Sequence, residues 1–284
     1  MIPTDIIDRE VASAKEKCGE VLYHYTSISV LKSIVENSRN DLWLGNLKHM
    51  NDFSEELHFI RGIEGAVRNK LSTQVERKEL DRLISEIENE YKVDNFYGIS
   101  FSRLNDDAAQ WERYADDAKG ICIGFKTAAL AKAVIGDPAT LATAYYDSNF
   151  ENHDHTRNLF ELVKGEIPNC FADRQSVIAN MLATSISHKH QGFQAEQEIR
   201  LVYLFKPMDF DVCYEMSNGV IRDFLRFPLR QKGESAGIYF EDFFDSIMIG
   251  PKSKQDIHCL RNYLANKGLY DMAARVSEST CPLR

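Results

Sequence analysis

The stretch Phe96-Tyr97-Gly98-Ile99-Ser100-Phe101-Ser102, then Asp107 to Asp116, then Gly120-Ile121-Cys122-Ile123-Gly124-Phe125, decides the fold class. The two flanking runs are short, apolar and aromatic, which is strand composition, and the piece between them reads as a helix. Working outward toward the N-terminus, a second short strand is predicted at Val21 to Tyr25 and a third at Leu42 to Leu44. Thr26 and Ser27 can cap a helix carried by Ile28, Leu31, Ile34 and Val35, and a further helix is expected over residues 5 to 18. Asn51-Asp52-Phe53-Ser54-Glu55 opens a helix with Leu57, Ile60, Ile63, Val67 and Leu71 inward, and a charged helix follows at about 75 to 91. Toward the C-terminus, helices are expected at Ala128 to Val134, Ser176 to His190 and about 253 to 266. Strands are expected at 141–146, 198–205, 211–215, 220–227, 236–240 and 246–249, while residues 147 to 175 give no clear pattern. The regular strand–helix alternation of a parallel sheet is missing, so the expectation is α+β with a mixed or antiparallel sheet core and flanking helices. With no repeat and no linker-like run, residues 1–284 read as a single domain with a helical insertion at about 52–92.

Composition narrows the setting. The net charge of −9 is unsuited to coating nucleic acid, although it leaves room for a local basic patch. No run approaches the ~18 consecutive apolar residues of a membrane helix. The first residues lack a basic start and an apolar core, so no secretory signal is expected. Cysteines 18, 122, 170, 213, 259 and 281 form no C-x-x-C pair, which fits reduced thiols in a cytoplasmic protein rather than a zinc ribbon or a disulfide framework.

Strand alternation places His24 and Thr26 on one face, where imidazole and hydroxyl would meet a ribose. The same residues also read as a histidine bonded to a neighbouring carbonyl and a cap for the next helix. Ser100 and Ser102 share a face and would frame a cleft, with Arg103 suited to a diphosphate. They equally suit a strand end leading into the Asn105-Asp106-Asp107 turn. Trp111 and Tyr114 share a helix face; such pairs are usually core, though Tyr114 could present its hydroxyl or ring to a cleft. Glu196 and Glu198, spaced by two, would project to one side of an incoming strand. Like charges repel there unless a partner or a purpose holds them. One such carboxylate stabilises an oxocarbenium ion and a second positions or deprotonates an acceptor, or else Arg200 simply pairs with them. The close pairs His153/His155 and His188/His190 lack metal-ligand context, and His188-Lys189-His190 reads as a basic loop. No metal is expected.

Taken in order, Tyr23-His24-Tyr25-Thr26-Ser27, Met50-Asn51-Asp52 with Glu55, Ser100-Phe101-Ser102, Trp111 with Tyr114-Ala115-Asp116, Gly120 to Phe125, and Glu196 with Glu198-Ile199-Arg200 resemble a large bacterial family of proteins of unknown function, often found near phage-defence genes. These pieces are in turn similar to ADP-ribosyltransferases. That resemblance implies an ADP-ribosyltransferase-like sheet core and NAD as the small-molecule substrate. It implies that His24 holds the ribose, in a His-x-Thr-Ser with Tyr25 in place of Gly, that Ser100 and Ser102 support the site, and that Glu198 is catalytic with Glu196 beside it. It further implies a toxin or antiviral effector that modifies a protein or nucleic acid and is restrained by an antitoxin or chaperone. A non-catalytic nucleotide-binding or phage-sensing domain is the second expectation. A metal-dependent nuclease ranks last, because no E-x-K run follows a plausible Asp strand.

Overall fold

The computed structural model describes residues 3–36, 41–49, 53–93, 96–146, 149–203, 212–217, 219–229 and 240–283. In chain order the helices are α1 (Thr4–Cys18), α2 (Ile28–Glu36), α3 (Phe53–Lys70), α4 (Gln74–Val93), α5 (Ala108–Tyr114), α6 (Thr127–Val134), α7 (Asp154–Val163), α8 (Arg174–Ser185), α9 (Ile257–Asn266) and α10 (Tyr270–Ala274). The strands are β1 (Val21–Thr26), β2 (Asp41–Asn46), β3 (Tyr97–Ser102), β4 (Ile121–Lys126), β5 (Ala139–Thr143), β6 (Glu198–Tyr203), β7 (Val212–Ser217), β8 (Val220–Pro228), β9 (Phe244–Ile249) and β10 (Val276–Glu278). They form one mixed, open sheet with flanking helices, so the class is α+β. The only parallel pairing among the described strands joins β9 to β10.

Pairing around β3 shapes everything that follows. Along one edge β3 pairs with β6 over its whole length, from Tyr97 opposite Tyr203 to Ser102 opposite Glu198. Along the other edge it pairs with β2 only at Tyr97 and Gly98, and with β1 only at Ser102. β1 and β2 therefore diverge from one strand edge, and the sheet forks opposite Ile99, Ser100 and Phe101. A backbone carbonyl facing such a fork loses its ladder partner and needs another. The His24 ring supplies it, with Nδ1 2.9 Å from the Ser100 carbonyl.

Each face of the sheet has its own cover. Leu22, Phe101, Ile123, Ile199 and Leu201 share one face and pack with residues of α2, α6, α9 and α10. On the other face, Val202 joins a core built from α3, α4, α7 and α8. In α4 the residues Leu80, Leu83, Ile84 and Ile87 are all buried. At about 1.5–3 kcal/mol for each buried side chain, that stripe outweighs the few tenths from each surface ion pair on the charged side. Tyr25, Trp111, Ala115, Ala118 and Cys122 make a third small cluster on this same face.

Several expectations shift. The strand expected at 141–146 runs from Ala139 to Thr143, and the helix expected at 176–190 ends at Ser185. The unread region 147–175 contains α7, whose buried positions include the polar His155, Thr156 and Asn158, so its apolar stripe is interrupted. The last long helix begins at Ile257, capped by the Asp256 carboxylate on Cys259 N. Residues 236–239 of one expected strand, 204–205 of another, and Met50, Asn51 and Asp52 lie outside the described residues.

Candidate functional site

Glu196 and Glu198 are not neighbours on one strand. Residues Gln191–Glu196 form a 3-10 turn, Gln197 closes it at φ 46° and ψ 48°, and β6 starts at Glu198. A non-glycine residue in the left-handed region is uncommon and here breaks the alternation that the spacing suggested. The two carboxylates still converge, because a third residue gathers them. Lys189 Nζ lies 2.6 Å from Glu196 Oε2 and 2.8 Å from Glu198 Oε2, with the lysine only 2% exposed. The expected basic loop at His188-Lys189-His190 is thus corrected: Lys189 points inward, and His188 is buried against Phe59.

Glu198 is held on all sides. Its Oε1 accepts from Ser100 Oγ at 2.6 Å and from Arg200 Nε at 2.7 Å, and its Oε2 also faces Arg200 Nη2 at 3.3 Å. Arg200 in turn donates to the Ile186 carbonyl at 2.5 Å. Burial alone would raise the Glu198 carboxyl, but Arg200 and Lys189 outweigh it and hold it down at about 2. Burial would likewise depress the Lys189 ammonium, and the Glu198 and Glu196 carboxylates reverse that and raise it. Glu198 and Lys189 therefore both stay charged at neutral pH.

Glu196 faces the rim. Its Oε1 accepts from Arg113 Nη1 at 2.7 Å and from the Tyr114 hydroxyl at 3.0 Å. Arg113 is half exposed, so this bridge is open to solvent on one side. Ser102 Oγ donates to the Glu196 carbonyl at 2.7 Å and accepts from Leu104 N at 3.0 Å. Ser100 and Ser102 therefore share a face, one gripping the Glu198 side chain and the other the backbone before it.

His24 arrives from the opposite side. Register puts it across from Ile123, on the face of Phe101, whose ring centroid is 5.9 Å from the imidazole. Burial lowers its pKa, against the Ser100 carbonyl, which favours the protonated ring. A neutral ring donating from Nδ1 to Ser100 O leaves Nε2 as an acceptor. Thr26 is buried beside it at the strand end. Arg103 departs from its expected place: it is exposed, its guanidinium donates to the Lys17 carbonyl, and it does not line the cavity.

The fork opens into a cavity of about 780 Å³, a size within the usual range of small-molecule sites. His24, Thr26, Ser100, Ser102, Tyr114, Glu196 and Glu198 all line it. So do Lys189 and Arg200, and from the far side Trp43, Arg222 and Phe224. Sequence reasoning passed over Arg113 and gave Lys189 only a place in a basic loop. The only available signal was the repulsion between two nearby carboxylates, which demands cations without saying from where.

Residues 110–201 match the family model described as "Protein of unknown function (DUF2971)". That span holds Tyr114, Lys189, Glu196, Glu198 and Arg200 and agrees with the expectation of a family of unknown function; His24, Ser100 and Ser102 lie before it. No curated protein and no solved structure matches the chain. All six cysteines are free thiols. Among the described residues no helix is long and apolar enough to cross a membrane.

Proposed function

We propose that the forked sheet is an ADP-ribosyltransferase-like core, that the cavity holds NAD+, and that the protein transfers ADP-ribose to a protein or nucleic-acid acceptor. One observation carries the reading: a buried, ionised carboxylate, Glu198, pinned by Ser100 at the wall of a nucleotide-sized cavity beside His24. In the reaction the bond from ribose C1′ to the nicotinamide nitrogen breaks, with its electron pair leaving on nicotinamide. Positive charge grows on the ribose, and a preorganised carboxylate stabilises it without reorganising at the moment of reaction. An acceptor lone pair then forms the new bond to C1′, and the acceptor's proton passes to the Glu196 carboxylate. Ser100 orients Glu198, and the free nitrogen of His24 accepts from a ribose hydroxyl. Glu196 serves the acceptor side, where the exposed Arg113 bridge is weak enough for an incoming group to replace it. The setting that fits this chemistry is an effector kept in check by a partner protein.

A second reading, a non-catalytic nucleotide-binding or phage-sensing domain, also has an observation behind it. Both oxygens of Glu198 already have donors, from Ser100, Arg200 and Lys189. Such a carboxylate is satisfied without a ligand. The test is incubation with labelled NAD+ and cell lysate, following nicotinamide release and label transfer together. Wild type is expected to transfer label, Ser100→Ala to lose roughly 10²-fold or less, and Glu198→Gln to lose more than that, by the measure of removing one preorganised group. Unfolding curves on the same samples show that the variants are folded. No transfer by wild type, or equal transfer by wild type and a folded Glu198→Gln, sinks the enzymatic reading.

A further inference from the structure

We infer that the far end of this cavity, at Trp43 and Phe224, is a nucleobase subsite; the inference deepens the nucleotide reading above and rests on it. Register places Phe224 opposite Gly45 and Gly45 opposite Gly98, so these residues share a sheet face with Ser100, Arg200 and Glu198. Trp43 and Phe224 stack with ring centroids 4.1 Å apart and planes 15° from parallel. The Arg226 guanidinium lies 5.9 Å from the Trp43 ring centroid. An aromatic pair backed by a guanidinium is a surface on which any base can stack.

The floor between the two ends is bare. A Cβ at Gly45 would meet nothing within 4 Å, although Gly45 lines the cavity. With strands about 4.8 Å apart and residues about 3.3 Å apart along a strand, Phe224 sits roughly 12 Å from Ser100. A ligand spanning that distance puts a sugar at Glu198 and a ring at Trp43. Arg222 lines the same end and has no hydrogen-bond or ion-pair partner among the described residues. By register it lies two residues beyond Phe224 on the side away from Ser100, where its planar fork suits a phosphate at this far end, the task expected of Arg103. Glu215, opposite Arg222 in the β7–β8 ladder, also lines this end and offers an acceptor for hydroxyl or amino protons.

The chain carries its own reporter. Trp43 and Trp111 are its two tryptophans, and Trp111 is fully buried in another cluster, so a ligand-induced fluorescence change reports Trp43. The full chain is titrated with AMP and with ribose 5-phosphate, and AMP affinity is measured again by calorimetry. AMP is expected to quench saturably, ribose 5-phosphate much less, and Trp43→Phe to abolish the signal. Gly45→Val builds a branched side chain onto the open floor, where a Cβ meets nothing within 4 Å, and is expected to weaken AMP at least tenfold. Failure of millimolar AMP to bind, or binding to Gly45→Val and Trp43→Ala within twofold of wild type, overturns the subsite. AMP binding without any NAD+ turnover removes the transferase and keeps the subsite, and turnover without these AMP effects does the reverse. If saturating NAD+ displaces AMP, the base belongs to the dinucleotide; if both bind together, it belongs to the acceptor.

Discussion

Lys189 is where the stability of the site is decided. It sits between two carboxylates that are each 5% exposed and bonds to both. Removing one partner from a buried ion pair leaves the other uncompensated, at a cost of about 3–5 kcal/mol. Lys189→Met is accordingly expected to lose that much in urea unfolding. Adding Glu196→Gln to the same variant should restore part of the loss, since one stranded charge is then gone. An additive double variant would mean that Lys189 and Glu196 are not coupled. Ser100 is the contrasting case, because Ser100→Ala removes one donor from Glu198 and leaves both cations in place. This is why the serine, rather than either charged group, separates function from folding.

Among the elements, the turn from α5 into β4 holds the cavity wall in place. Asp116, Asp117 and Ala118 all have left-handed backbone, with φ of 51°, 53° and 65°. Three consecutive non-glycine residues there are unfavourable in isolation, and tertiary bonds must impose them. Ala118 N donates to the Trp111 carbonyl at 2.9 Å, Gly120 N to Ala115 O at 2.8 Å, and Lys252 N to Ala118 O at 2.9 Å. The turn ends at Gly120, where a Cβ would stand 2.1 Å from the Thr26 carbonyl oxygen. Backbone cannot yield as a side chain can, so Gly120→Ala should cost about 3 kcal/mol or more, at the upper end of overpacking. Thermal unfolding against Gly19→Ala, whose glycine has open space but positive φ, separates crowding from backbone strain. A Gly120→Ala variant as stable as wild type would show that crowding at Gly120 is unimportant. Asp106 fastens the next piece of chain, accepting from Trp111 Nε1, Ser279 Oγ and Thr280 N.

Over the whole molecule, acid is expected to act in two separate windows. Burial, with a smaller contribution from His153, lowers His155 from its ordinary 6.5 to about 4, so the folded protein keeps this ring neutral. The unfolded chain binds that proton first, and stability falls as pH drops from about 6.5 to 4, by on the order of 3 kcal/mol. Glu198, held at about 2 against an ordinary 4.5, contributes stability above pH 4.5 that disappears as pH falls through 2. Urea unfolding across this range should show both declines, and His155→Gln should flatten the first while sparing the second. Much of this architecture was legible in the chain itself. Apolar runs and spacing located β1, β3, β4 and α4, because burial of an alternating or helical stripe is a local instruction, and the irregular order of strands and helices set the α+β class. His24, Ser100, Ser102 and Glu198 were legible as candidates from a different signal, the short polar motifs they belong to and the resemblance those motifs carry. α7 was not, since its buried face is partly polar, nor was the break at Gln197, which no propensity announces. The fork, the inward turn of Lys189, and the departure of Arg103 from the cavity came only with the tertiary structure. Each depends on which strands share an edge and which charges must be neutralised once water is excluded, and those are contacts between residues far apart in sequence.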